Sequence, residues 1–398
     1  MTVLVYGESS RAVFGVRSDE HLRRQWEEAR KPLLLFPGHR PLSLLARADV
    51  TATNETLAWL IDRPGTCLTD AEGRPLLMVV AEERKAPATR PGEGEWRADG
   101  ATTVRNGSSV FYSQKLRRHE PVEALDLRRL SLATAERRLF DLVYKGVTDA
   151  ITRYVWPTPA FHAVRHLSAW RVSPNAVTTV GLLLTIVAAI EFKQAEWIGG
   201  LIAAWIMTFL DTVDGKLARV TGTSSRLGDI LDHGNDYLHP PVWWLCIVVG
   251  AAAEGSMVSS DVLWASGWTI LGMYLVGRLA ENVFKWSFTF NQYVWTPLDG
   301  TLRLIVARRN IILAIVTVGA LLGDVGLALV ASAAWSVVSI GFQSFRTVWA
   351  YVLRASGRPV NSWLKESAPR LVGNVTPEIP PRAAGEDPRS PDEVRVSA

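Results

Sequence analysis

The amino-acid sequence predicts a two-part chain: a small soluble α/β domain followed by an all-α membrane domain of six transmembrane helices. Three observations support this. The chain is mixed and charged before about residue 170 and dominated by long apolar segments from there to about residue 352. Those segments approach the roughly 20 largely apolar residues that a spanning helix needs. Lysine and arginine gather in alternate loops between them, the pattern that fixes orientation. A length of 398 residues also fits two domains better than one. The expected division is 1–130 for the soluble domain, 131–172 for juxtamembrane interfacial helices, 173–365 for the membrane domain and 366–398 for a disordered tail.

In the first part, residues 2–6 alternate like a short strand and 31–36 hold another apolar run. Residues 49–62 read as a strand entering a short helix. Residues 65–81 read as two strands about a turn at Asp70, Ala71, Glu72 and Gly73. Strands mixed with helical patterns indicate an α/β domain. Residues 85–107 are rich in Pro, Gly and charge and are expected to form a loop. The opening MTVLVYGESS lacks the basic start and apolar run of a signal peptide. Cys67 falls in the charged half and Cys246 in an apolar segment, which argues against a disulfide. A net charge of +4 is too modest to indicate nucleic acid as a partner.

Residues 134–156 read as one helix, with Leu139, Leu142, Val143, Val147 and Ile151 on one side and Lys145 and Arg153 on the other. Aromatic and basic residues at its end suit a membrane interface. Pro157 and Pro159 then break the chain, and a second short helix covers 161–170. The six expected spans are 176–192, 197–214, 235–253, 262–284, 310–322 and 325–348. Basic residues precede the first span, lie between the second and third and between the fourth and fifth, and follow the sixth. The other loops hold only Lys193. Both termini are therefore expected to face the cytoplasm.

The chemistry concentrates in residues 211–236, DTVDGKLARVTGTSSRLGDILDHGND. Asp211 and Asp214 are three apart, and Asp232 and Asp236 are four apart. On a helix each pair shares a face. Two carboxylates about 4 Å apart repel by roughly 4 kcal/mol at an effective dielectric near 20. Hard divalent cations, which prefer oxygen ligands, relieve that repulsion and can neutralise a phosphoryl group. Gly215 leaves room for a phosphate to approach, and Arg219 can fork onto its oxygens.

The pattern Asp211-x-x-Asp214-Gly215-x-x-Ala218-Arg219, then Gly228-x-x-x-Asp232-x-x-x-Asp236, is similar to the signature of the CDP-alcohol phosphotransferases. The resemblance implies a membrane helical bundle. It implies an enzyme that moves a substituted phosphate from a CDP-alcohol to an acceptor alcohol and releases CMP. It assigns Asp211, Asp214, Asp232 and Asp236 to two Mg²⁺ or Mn²⁺ ions, and Asp236 to the general base. Asp211, Gly215, Ala218 and Arg219 would bind CDP. The acceptor, an alcohol or its phosphate, is expected at Arg278, Arg303, Arg308 and Arg309. Arg278 could instead pair with Glu281, three residues on, and the other three arginines could serve only as positive anchors. His233 and His239 are expected behind the site or at an interface. The family also implies a homodimer, with membrane lipids as surroundings.

Some relatives carry a fused cytidylyltransferase domain, and the first part is similar to it in position and coarse pattern. The stretch Gly7-Glu8-Ser9-Ser10-Arg11 has one glycine where an active phosphate loop would have several, so a degenerate domain is expected. Phospholipid biosynthesis, with a donor such as CDP-diacylglycerol, is the expected setting. A CDP-inositol and inositol phosphate pair giving a di-inositol phosphodiester is the alternative. A non-catalytic membrane scaffold is the third reading, and it gives no reason for four aspartates at this spacing.

Overall fold

The computed structural model describes residues 3–7, 9–35, 41–81 and 100–367. The α/β part begins with β1 (Val3–Tyr6), the β2–β3 hairpin (Ala12–Val13 and Val16–Arg17) and α1 (Ser18–Arg30). It continues through β4 (Leu42–Arg47), β5 (Val50–Ala52), α2 (Asn54–Ile61), β6 (Thr66–Thr69) and β7 (Pro75–Ala81). Then come β8 (Thr102–Arg105), β9 (Val110–Ser113), β10 (Arg118–Pro121) and β11 (Ala124–Asp126). Five strands form a mixed sheet in the order β1-β4-β7-β6-β8, parallel at β1–β4 and β6–β8 and antiparallel between. Helices α1 and α2 bury Leu22, Trp26, Leu57 and Leu60 against Leu44, Leu68, Leu77 and Val79. Thr53 caps α2 by accepting from the Thr56 amide.

The expected strands at the start of the chain and over 65–81 and the short helix within 49–62 are present, while α1, the β2–β3 hairpin, β4 and β9 to β11 were not read from the sequence. The apolar run after α1 is a 3₁₀ helix, Lys31–Leu35. Of the loop expected at 85–107, residues 85–99 lie outside the described residues, and β8 forms at Thr102–Arg105 because it pairs along β6. Arg11 donates to the carbonyls of Leu127 and Leu130, so it ties together the region's own backbone.

The helix expected over 134–156 is not continuous. Helix α3 (Leu132–Leu142) ends early, and a π-helical turn follows at Ile151–Val155. Tertiary hydrogen bonds divert the chain between them. The Gly146 amide donates to Leu116 O at 2.8 Å, and Tyr144 Oη donates to Thr152 O at 2.5 Å. Leu139 and Val143 pack with Val213, Leu217 and Val220 of the second long apolar helix. Helix α4 (Pro157–Ala169) completes this segment.

The all-α part comprises α5 (Pro174–Lys193), α6 (Trp197–Thr221), α7 (Arg226–Glu254), α8 (Ser260–Phe288), α9 (Pro297–Ile305), α10 (Arg309–Leu322), α11 (Val325–Ala355) and the short α12 (Trp363–Glu366). The expectation of six spans is corrected. Among the described residues, four stretches are long and apolar enough to cross a membrane: α5, α6, Pro297–Leu322 (α9 with α10) and α11. Helices α7 and α8 are long but not apolar enough. Helix α7 opens on the aspartate-rich segment and contains Pro240 and Pro241, while α8 carries Asp261, Arg278, Glu281 and Lys285 among its tryptophans and glycines. The fifth apolar segment, short at 310–322, extends back to Pro297 with a break before Arg309. Ile186, Ile190, Ile202, Val338 and Val348 point outwards and exposed, as a lipid-facing surface requires. The chain is thus a multi-pass membrane protein by the length and composition of these helices. Of the tail expected to be disordered, residues 368–398 lie outside the described residues.

The two parts meet at the end of α6. The last carbonyls of a helix have no partner within it. Here α1 supplies partners in succession. Gln25 Nε2 donates to Arg219 O at 2.7 Å, His21 Nε2 to Val220 O at 2.7 Å, and Arg24 to Thr221 O at 3.4 Å. Gly222 ends α6 at φ 63°, and a Cβ there would lie 2.7 Å from Arg24 Cβ. Glycine therefore meets both the left-handed backbone and the close approach of α1.

Candidate active site

Helix α6 continues past the aspartates, so Asp211 and Asp214 lie within it and not at its end. Helix α7 begins at Arg226, so Asp232 and Asp236 are helical too. The Asp232 side chain lies outside the described residues, as do those of Arg226 and His233. The structure brings Asp211 and Asp236 to one guanidinium from a third helix. Arg309, at the start of α10, donates to Asp211 Oδ2 at 2.6 Å and to Asp236 Oδ1 at 2.8 Å. Asp214 is buried and accepts from Thr178 Oγ1 of α5 at 2.6 Å and from the Gly215 amide at 2.5 Å.

Two helix N-termini converge beside Asp214. Ser173 caps α5 and Ser225 caps α7, each accepting from an amide three residues on. Ser225 Oγ also donates to Asn175 Oδ1 at 3.0 Å and joins the two ends. A Cβ on Gly228 would lie 2.7 Å from Asn175 Oδ1, so a side chain there would push that amide out of its place. A narrow cleft runs between these ends, lined by Asn175, Thr178, Asp214, Gly215, Ala218 and Ser225. Helix N-termini favour anions. A Cβ on Gly215 would meet only Arg219, at 3.8 Å, so packing within the chain does not demand glycine there.

The backbone at Asp236 has an unusual support. Pro240 and Pro241 sit inside α7, four residues after Asp236 and Tyr237. Proline has no N–H, so those two carbonyls lose their helical partners. Helix α8 replaces them. Arg278 donates to Asp236 O at 3.2 Å, and Tyr274 Oη reaches Tyr237 O at 3.1 Å and Asp236 O at 3.3 Å. The Arg278 guanidinium also lies over the rings of Tyr237 and Tyr274. Arg278 therefore does not make the alternative pairing with Glu281. Glu281 pairs with Arg308, which removes that arginine's free charge.

Arg303 is buried, lies over the Tyr293 ring and leaves Nε and one terminal nitrogen without a hydrogen-bond partner among the described residues. His239 donates through Nδ1 to Asn235 O at 2.6 Å, and Arg309 lies 3.5 Å from its Nε2, which places this histidine behind the carboxylates as expected. Among the described residues no group of three or more His, Cys, Asp or Glu side chains is arranged to hold a metal ion. The donor set fits a hard cation, because it consists of carboxylate oxygens brought together from two neighbouring helices.

Sequence reasoning missed Thr178, Ser225, Tyr274 and the capping role of α1. A signal was present for two of these. Ser225-x-x-Gly228 is a helix-start pattern, and the proline pair follows Asp236 at the distance that frees its carbonyl.

The chain is 35% identical over 111 residues to archaetidylinositol phosphate synthase of Pyrococcus horikoshii, covering 28% of this chain and 54% of that one. It is 27% identical over 128 residues to cholinephosphotransferase 1 of Danio rerio, covering 29% of this chain and 31% of that one. The chain thus spans about half or less of the curated relatives it matches. A crystal structure of Mycobacterium tuberculosis phosphatidylinositol phosphate synthase with CDP-DAG bound is similar at 20% identity and a TM-score of 0.38, over 48% of this chain and 93% of that one. Residues 171–341, which carry both aspartate pairs, match the CDP-alcohol phosphatidyltransferase family.

Proposed function

We propose that this protein transfers a substituted phosphate from a CDP-alcohol, such as CDP-diacylglycerol, to the hydroxyl of an acceptor and releases CMP, within phospholipid biosynthesis. One observation carries the reading: Asp211 and Asp236, from neighbouring helices, share Arg309 beside a cleft that holds Asp214 and two helix N-termini.

Each residue then has a task. Asp211, Asp214, Asp232 and Asp236 would hold Mg²⁺ or Mn²⁺, two ions in all, which when bound offset the charge of the diphosphate. Gly215, Ala218 and Arg219 seat the CDP moiety with Asp211, Gly215 by leaving the backbone open to it. The acceptor oxygen bonds to the phosphorus that carries the alcohol. The bond from that phosphorus to the CMP oxygen breaks, and its electron pair leaves with CMP. Asp236 takes the proton of the acceptor hydroxyl. Arg309 orients the Asp236 carboxylate, and Arg278 with Tyr274 fixes the backbone beneath it. Arg303, buried with unmatched donors, supports an acceptor that itself bears phosphate.

Loop charges support a cytoplasmic site and cytoplasmic termini. The divisions near residues 130 and 172, a soluble domain derived from a nucleotidyltransferase, and a homodimer belong to the same proposal. The test is CMP release by purified protein in detergent with Mg²⁺ or Mn²⁺, with CDP-diacylglycerol offered against a panel of alcohols and alcohol phosphates. Metal-dependent release that Asp236→Asn abolishes supports the reading. Silence across the panel from folded, metal-binding protein refutes it.

A further inference from the structure

A cavity of about 500 Å³ lies where the α/β part meets the start of α5. Its lining includes Arg17, which precedes α1, Glu20 and Arg24 from the first half of α1, Arg171 from the α4–α5 turn, and Asn175 and Thr223. The last two also line the cleft at Asp214 and Gly215, so the two spaces adjoin. The volume falls within the roughly 300–1,000 Å³ usual for a small-molecule site.

Two features indicate a ligand here. Arg171 has φ 55°, a left-handed backbone that glycine adopts readily and a long side chain does not. The turn needs that conformation but not a guanidinium. Among the described residues the exposed Arg171 side chain has no ion-pair or hydrogen-bond partner. Ser168, which lines the same cavity, is only 6% exposed, and its hydroxyl has no hydrogen-bond partner among the described residues. The other charges of the wall come in pairs. Arg24 meets Glu20 at 2.9 Å, and Arg17 meets Asp19, just outside the lining, at 3.1 Å, so within the wall an acceptor stands beside donors.

We propose that this cavity holds the nucleoside end of the cytidine donor, so that the α/β part supplies the outer wall of the donor site. The inference rests on reading the aspartate site as one for a CDP-alcohol. Cytosine offers an amine donor at N4 beside acceptors at N3 and O2. Carboxylates only accept and guanidiniums only donate, so Glu20 matches the amine and the arginines match the acceptors. Uracil would set a carbonyl against Glu20. The capping of α6 by α1 holds this wall in register with Asp211 and Asp214.

The experiment measures CMP and UMP binding to the full-length protein in detergent with Mn²⁺ by calorimetry. It compares the wild type with Arg171→Gly and Glu20→Ala and records a thermal melt of each. Glycine suits the backbone at 171, so Arg171→Gly is expected to melt no lower than the wild type while binding CMP about tenfold more weakly, the loss of one charge-assisted contact. Glu20→Ala is expected to narrow the preference for CMP over UMP. Unchanged CMP affinity and unchanged preference in both variants, from a wild type that binds CMP, overturn this inference and leave the aspartate site standing. A folded wild type that binds no CMP overturns both.

Discussion

Arg278 gives the sharpest test of how α7 presents Asp236. The carbonyl of Asp236 is deprived of a helical partner by Pro240 and accepts instead from Arg278 at 3.2 Å, with Tyr274 behind at 3.3 Å. Arg278→Met keeps length and apolar bulk and removes the charged donor. A hydrogen bond from a charged group is worth about 1.5–3 kcal/mol, and Tyr274 retains part of the contact, so a loss of about 2 kcal/mol is expected. If it falls on the placement of Asp236, CMP release drops about thirtyfold. The repair is built into the chain. Pro240→Ala restores an N–H that can reach the Asp236 carbonyl along the helix. In the double variant the carbonyl has a partner again, and most of the lost rate should return. The assay is a double-mutant cycle on kcat and KM for CMP release, with melting curves for all four proteins. A coupling near zero would refute the argument, as would an Arg278→Met enzyme as fast as the wild type.

Three further outcomes follow from other contacts. Thr178→Val removes the 2.6 Å hydrogen bond to Asp214 and should lower kcat/KM about tenfold with the melt unchanged. Glu281→Gln leaves the half-buried Arg308 without its counter-charge and should cost about 3 kcal/mol in a denaturation series, more than the conservative change would suggest. His21 is fully buried against Val220 O and Thr51, and burial pushes its imidazole down to about 4, against about 6.5 unfolded. The unfolded chain therefore takes the proton first. Stability is whole above about pH 6.5 and is lost as pH falls towards 4, by about 2 kcal/mol at pH 5. His21→Gln keeps a donor for Val220 and cannot titrate, so its denaturation midpoint should fall less than that of the wild type between about pH 7.5 and about pH 5. Parallel falls would contradict the assignment.

The aspartates were legible in the sequence because their spacing is local: three and four residues fix a shared helix face whatever the rest of the chain does. Strands β6 and β7 were legible in the same way, as apolar runs about the turn at residues 70–73, whereas the central strand β4 was not read from the sequence. What was not legible depends on partners distant in sequence. Arg309 reaches Asp211 across 98 residues, and α1 caps α6 across 194 to 199. Neither pairing leaves a local trace. The break after α3 is likewise tertiary, set by hydrogen bonds to Leu116 and Thr152 that outweigh the helical pattern. The number of spans was overread because long helices were counted by their apolar residues alone. In α8 the charges at Arg278 and Glu281 serve α7 and α10, and they lower the hydropathy of the helix that carries them.

The central claim is that the carboxylates of α6 and α7 act together on a cytidine diphosphate. Metal-dependent release of CMP from CDP-diacylglycerol, measured with the wild type and with Asp236→Asn, tests it most directly. The account predicts release that requires both Mg²⁺ or Mn²⁺ and an acceptor, and that disappears in a variant which still folds and still binds CMP. Undiminished release by Asp236→Asn would contradict it.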